Sequence, residues 1–220
     1  MPKKTSDPLP LSRDRIVAAA MELAQSSGVD ALSMRKVGQV LGVEAMSLYR
    51  HVDNKDDLLG GMVDAVTAQI AYDTGATDWK VGLRERALSA REVFKTYPWA
   101  APLFESHRQM GPARLAYAEW ALGLLFAADM TPAQAYQVLY TVDAFVYGAI
   151  LQELHVPYDV DDDEDADEVA AMANAFAAAH PNLAQMAAFA ATSGKAEMPG
   201  VDEFSVGLDL VLDGLQARLA

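Results

Sequence analysis

Apolar residues recur at three- and four-residue spacing along almost the whole of this 220-residue chain, and most of the runs end at a glycine or at an X-Pro step. That period lines one stripe of an α-helix, whereas a half-buried strand alternates every second residue. Ser12 stands before Ile16, Ala20, Leu23 and Ala24, a run closed by Gly28. Ser33 precedes Met34–Leu41, closed by Gly42, and a second short stretch, Glu44–Val52, follows at once. Asp53 or Asn54 opens a longer helix through Leu59, Met62, Val63, Val66 and Ile70. Asp78 opens another through Leu83, Ala87, Ala90 and Phe94; it ends at Tyr97-Pro98, because the residue before proline avoids the helical region. Gly111-Pro112 and Thr131-Pro132 open two more, proline being tolerated at the first helical position. Leu115, Ala118, Leu122 and Phe126 line the first of these; Tyr136, Leu139, Tyr140, Phe145 and Ile150 line the second, from Ala133 to about Leu154. An Ala-rich stretch to Ala179 follows, then a helix Asn182–Thr192 after His180-Pro181. The last helix carries Phe204, Leu208, Val211, Leu212, Leu215 and Leu219. No segment alternates like a strand, so the expected fold class is all-α.

With 52% apolar residues the chain has the material for a sizeable core, which excludes global disorder. The absence of cysteine excludes a disulfide scaffold, a thiolate metal site and a cysteine nucleophile. The first ten residues, MPKKTSDPLP, hold no apolar signal core. The longest candidate span, Ala135–Leu151, carries Asp143 and several polar groups. The expectation is a soluble, cytoplasmic protein with no membrane partner.

The net charge of −14 is unevenly placed. Residues 1–60 hold eight Lys/Arg and eight Asp/Glu, so the remaining residues, with nine against 23, carry all of it. An acidic chain repels nucleic acid only where its local potential is negative, so the neutral N-terminal segment stays available to DNA. Two zones follow: a head, 1–60, and a helical body, 61–220.

In the head, two short helices joined through Gly42 have the form of a helix-turn-helix, the glycine taking the left-handed conformation of a sharp turn. Val37, Leu41, Val43 and Leu48 are spaced to pack the pair together and against Ile16 and Leu23. A recognition helix inserts its N-terminal residues in the major groove, which places Glu44, Ala45, Met46 and Ser47 at base edges and lets Met46 meet a thymine methyl. Arg35 is positioned for a guanine, while Tyr49, His51 and Lys55 are positioned for phosphate, with Arg50 in the same outward set. Backbone N–H groups at the helix starts of Ser33 and Asn54 add phosphate donors. Two short helices around a glycine also occur in many α-helical proteins, and spacing alone leaves both readings open.

The residues from Ser12 to Leu59 resemble the DNA-binding domain of the TetR (tetracycline-repressor) family of bacterial transcriptional regulators. The stretches that carry the likeness are Ile16–Leu23, Met34–Gly38, Leu41-Gly42-Val43, Ser47–Val52 and Asn54–Leu59. The resemblance implies a homodimeric repressor that binds double-stranded DNA at a pseudo-palindromic operator and releases it when a small molecule binds the body. It extends weakly through Trp79–Tyr97, Thr131–Gln152 and Phe204–Leu219, toward the subclass of the tetracycline repressor itself. There the family's magnesium–tetracycline ligands correspond to Phe104, Ala144 and Gln152, none a usual Mg²⁺ ligand. The implied effector is therefore apolar or aromatic and unchelated, with no metal or cofactor. Phe94, Phe104, His107, Trp120, Phe145 and Gln152 are the candidate effector contacts, although aromatics at helical spacing also build plain cores. The run from Asp159 to Glu168 is eight-tenths acidic but has Glu164 and Ala170 where a calcium loop needs Gly and Glu, so it reads as a solvated loop. The four histidines, His51, His107, His155 and His180, show no metal spacing, and no catalytic residues are assigned. A small all-α enzyme or a helical interaction module are the other readings.

Overall fold

The computed structural model describes residues 10–106, 110–154, 175–193 and 202–219. The described residues contain helices and no strands. In order they are α1 Arg13–Ser27, a 3₁₀ turn Val29–Ala31, α2 Met34–Leu41, α3 Ala45–Leu48, α4 Lys55–Thr67, α5 Trp79–Thr96, α6 Ala100–Ser106, α7 Pro112–Ala127, α8 Pro132–Leu154, α9 Pro181–Ser193 and α10 Glu203–Leu219. The chain divides into two compact units, one to Leu154 and one from His155.

The helix starts follow the polar residues that precede them. Ser12, Ser33 and Asn54 each accept a hydrogen bond from the backbone N–H three residues on, and the Asp78 carboxylate accepts from Lys80 and Val81. Gly28 ends α1 with φ 77°, a backbone conformation that a side chain disfavours.

In the first unit, α1, α2, α3 and α4 enclose an apolar core of Ile16, Ala20, Ala24, Leu32, Val37, Leu48, Val52, Leu58 and Met62. Helix α4 runs through residue 60 without interruption and serves both zones: it packs on α1 and also on α6 and α7. Its Asp64 carboxylate accepts from the Ala113 N–H at 3.0 Å, capping the start of α7. Gly111 leaves room for that contact, since a Cβ there would stand 2.3 Å from the carboxyl group. A second tie joins α1 to the α5–α6 connection: the Trp99 indole donates to Gln25 at 3.0 Å, and the Gln25 amide donates to Thr96 O at 3.1 Å. Helices α5, α7 and α8 form the remaining core through Leu83, Ala87, Phe94, Tyr117, Leu125, Val142, Tyr147 and Ile150.

Three expectations are corrected. The second helix of the turn is Ala45–Leu48, shorter than Glu44–Val52, because Tyr49–His51 tighten into a turn that returns the chain to α4. Helix α6 was not anticipated; its few residues directly after a proline break hold no full apolar period. In α7 and α8 the buried stripe is rotated from the expected one. Tyr117, Ala121 and Leu125 are buried while Leu115 and Phe126 are exposed, and Val138, Val142 and Val146 are buried while Tyr136 and Tyr140 are exposed, Ile150 alone of the residues expected in α8 lying in the core. Both helices are apolar on several sides, so period alone cannot choose the inward face. The acidic run 159–168 and most of the Ala-rich stretch lie outside the described residues.

In the second unit, α9 and α10 match the expected last two helices, with Phe204, Leu208 and Leu212 buried.

Candidate functional site

Helices α2 and α3 meet at Gly42, which takes the left-handed conformation at φ 69° and ψ 29°. The turn closes where the Val43 N–H donates to Gly38 O at 2.9 Å. Gly38 is the stricter requirement: a Cβ there would stand 2.8 Å from the Val43 carbonyl oxygen, a backbone atom that cannot swing aside. Val37 and Leu48, both fully buried, anchor the pair on α1 and α4.

That anchoring decides what faces outward. Met46 is 75% exposed and Tyr49 44%, large apolar surfaces that a monomeric core would have taken in. Arg35, Glu44, Arg50 and Lys55 are exposed; Ala45, Ser47 and His51 are half-buried beside them. Ser33 is half-buried as the cap of α2, and Glu44 occupies the cap position of α3 without a side-chain bond to it. Among the ten expected residues none lies in the core.

Behind this surface Arg13 of α1 and Asp57 of α4 form a paired contact, Nη2 to Oδ1 at 2.6 Å and Nη1 to Oδ2 at 2.8 Å. Arg13 also donates to His51 O, and Asp57 accepts from the Asp53 N–H at 2.9 Å, so the pair pins the turn between α3 and α4. The Arg13 hydrogen bond holds the Asp57 carboxyl below the usual carboxylate range. This clamp was missed from sequence because its partners stand 44 residues apart.

The body core contains a buried cation. Arg86 of α5, 1% exposed, donates from Nη2 to the Tyr147 hydroxyl at 2.8 Å and from Nη1 to Asp143 at 3.3 Å. Its guanidinium carbon lies 3.9 Å from the centre of the Tyr117 ring, and the Tyr117 hydroxyl donates to Asp143 at 3.3 Å. Its Nε–H has no hydrogen-bond partner among the described residues. Burial by itself lowers the pKa of Arg86, but Tyr147, Tyr117 and Asp143 together hold it above the ordinary value. Loss of hydration pushes the Tyr147 phenol up to about 12 and raises Tyr117 too. It also raises Asp143, with Arg86 and Tyr117 pulling the other way.

Aromatic rings surround this group. Phe104 stacks on Tyr147 at 4.3 Å, Phe94 meets both edge-on at 5.8 and 5.7 Å, and Arg114 lies 4.1 Å over Phe104. Trp120 contacts Tyr72 at 5.4 Å and Tyr117 at 6.2 Å. Of the expected effector residues the structure thus brings Phe94 and Phe104 into direct contact, with Trp120 joined to them through Tyr117, Arg86 and Tyr147. Phe145 is half-buried on another face of α8 from Tyr147, Gln152 is exposed, and His107 lies outside the described residues. Arg86 and Asp143 were missed as a pair because they stand 57 residues apart on separate helices.

A short helix that buries Leu48 on a supporting pair and exposes Met46, with Tyr49 and Arg50 exposed in the turn behind it, has the form of a helix-turn-helix. Residues 16–62 match the family described as bacterial regulatory proteins, tetR family, and residues 72–219 match the tetracyclin repressor-like C-terminal domain. The chain belongs to the TetR family: it is a transcriptional regulator and not an enzyme. It is 29% identical to the HTH-type transcriptional repressor DrrR1 of Streptomyces coeruleorubidus, over 96% of this chain and 79% of the relative. Two solved structures from Streptomyces coelicolor superpose with TM-score 0.73. A possible TetR family transcriptional regulator is 30% identical, with 94% of this chain and all of that chain covered. The TetR family protein ActR in complex with (S)-DNPA is 26% identical, with 96% and 100% covered. Among the described residues, no helix is long and apolar enough to cross a membrane.

Proposed function

We propose that this chain is a ligand-responsive repressor of the cytoplasm that binds a pseudo-palindromic operator as a homodimer and leaves it when a small, apolar or aromatic effector binds. The observation that carries the reading is the path of α4, which shares a core with the helix-turn-helix and caps α7 of the aromatic cluster through Asp64. A change of packing around the cluster therefore bears on the helix that sets the head. Coupling of this kind requires the effector to favour one head position over another.

Residues 1–60 bind DNA in this reading and residues 61–220 bind effector and partner. Glu44, Ala45, Met46 and Ser47 face bases, with Arg35 reaching a guanine. Ser33, Tyr49, Arg50, His51 and Lys55 hold the backbone. Phe94, Phe104 and Trp120 contact the effector, since they stand in or beside the aromatic cluster of the body; that a regulator of this family takes a ligand is supported by the related ActR, solved in complex with (S)-DNPA. His107, Phe145 and Gln152 complete the proposed set. The dimer uses α8 and the last helix, since Tyr136 and Tyr140 of the one and Val206 and Leu210 of the other are exposed in a single chain. A two-fold dimer sets two heads in successive major grooves.

Fluorescence anisotropy of DNA from the gene's own upstream region, titrated at several salt concentrations, tests the reading. Tight binding that resists competitor DNA and weakens with salt supports it; weak binding indifferent to sequence there and in random-sequence selection overturns it. In an effector screen, folded Phe104→Ala and Trp120→Ala variants that release DNA as the parent does would remove both residues from the site.

A further inference from the structure

We propose that the effector is a planar aromatic anion, its charge carried on oxygen, and that Arg86 with Tyr147 is its anchoring pair. This rests on the ligand-responsive reading above and adds the chemical class of the molecule.

The geometry of the guanidinium carries the inference. Nε–H and one Nη2–H point side by side along the same edge of the planar group, the edge that carboxylates engage in paired fashion. Here Nη2 donates to the Tyr147 hydroxyl, and the neighbouring Nε–H, in a side chain 1% exposed, has no partner among the described residues. A buried donor left unmade costs more than the same donor in water, so this edge gains from any acceptor brought to it. Tyr147 accepts from Arg86 and stays protonated at neutral pH, which leaves its own O–H to donate. An oxygen placed at the edge therefore receives two hydrogen bonds, one of them from a cation. Asp143 does not occupy that edge. It bonds Nη1, at a long 3.3 Å, and its side chain is one-third exposed.

The surroundings select a flat ring system behind the oxygen. Tyr117 lies against the guanidinium at 3.9 Å, and Phe104, Phe94 and Tyr147 are in mutual ring contact next to it. Such rings bind a planar aromatic body, and the cation beneath them discriminates a charged from a neutral version of the same body. Chance attraction of anions to the body is weak, since residues 61–220 carry the whole net charge of −14.

The test uses two fluorescent probes with the same aromatic frame, 1-anilinonaphthalene-8-sulfonate and the uncharged N-phenyl-1-naphthylamine, titrated into the full-length protein. The parent is expected to bind the sulfonate about tenfold more tightly than the neutral probe, the effect of one charged hydrogen bond. Arg86→Gln is expected to abolish that preference, so that the folded variant binds the two probes with equal affinity. Tyr147→Phe keeps the ring and removes one donor, and it is expected to weaken sulfonate binding about fivefold. It serves as the deciding variant if Arg86→Gln does not fold. Equal affinities in the parent, failure to bind either probe, or a sulfonate preference that survives the folded variants would overturn the inference. Operator release measured with both probes separates the two readings. Release by both with equal affinity keeps the ligand-responsive repressor and removes the anion site. Arg86-dependent binding without release keeps the site and removes the effector role.

Discussion

The core beneath α2 and α3 and the core between α5, α7 and α8 belong to one unit of the chain but handle charge in opposite ways. Beneath the helix-turn-helix every buried side chain is apolar, and the charged pair Arg13–Asp57 stays at the rim, 44% and 26% exposed. Between α5 and α8 a full guanidinium is enclosed, with a partially exposed carboxylate, two phenols and an unmade donor. An all-apolar core packed at crystal-like density has one good arrangement, which suits the proposed role of Met46 and Tyr49 in DNA contact. A core with unsatisfied polarity has something to gain from a guest, which suits the proposed effector site.

The largest expected effects lie in the two cores. In the body, Asp143→Ala removes the one-third-exposed carboxylate that faces the enclosed Arg86, and leaving that guanidinium with the phenols alone should cost about 3 kcal/mol, the low end for breaking a buried pair. Urea denaturation measures it; a loss under 1 kcal/mol would mean that Tyr147 and the rings hold the cation unaided, and the contrast would weaken. In the head, Leu48→Ala opens a cavity under the turn at a fully buried position and should cost about 3 kcal/mol, with operator affinity falling in step. If the fold survives and affinity does not change, rigidity of that core is not what presents the DNA-facing residues.

Lys55→Ala should act on binding alone, weakening all sequences alike and reducing the salt slope by about one. An unchanged slope removes Lys55 from the phosphate contacts. The smallest effect concerns the rim. Asp57 has a depressed pKa in the folded chain, so its contribution is present above the unfolded carboxylate value, near pH 4, and is lost as pH falls through the lower folded value. Asp57→Asn should therefore flatten the acid limb of the stability profile below about pH 4, by under 1 kcal/mol for so exposed a pair. An acid limb identical to the parent's would show that the clamp on the turn does not depend on charge.

The head was legible because its signals are local. Ser12, Ser33 and Asn54 sit next to the N–H groups they cap, and Gly42 itself occupies the left-handed turn. The matched stretches between Ile16 and Leu59 fall inside the residues assigned to the family's N-terminal domain. In the body the helix starts at Asp78, Pro112 and Pro132 were legible for the same reason. The inward faces of α7 and α8 were not, because Leu115, Phe126, Tyr136 and Tyr140 are as apolar as the residues that were buried.

The sequence determined where most helices begin, that the head is neutral and the body acidic, and that a helix-turn-helix form falls within Met34–Val52, because caps, breaks and charge act over a few residues. Tertiary structure alone decided that Gly38 must be bare against Val43, that Asp64 caps α7, and that Arg86, Asp143 and Tyr147 share one buried site. Those contacts join residues dozens of positions apart, and only the docking of helices creates the low-dielectric setting in which a lone guanidinium edge becomes a binding group.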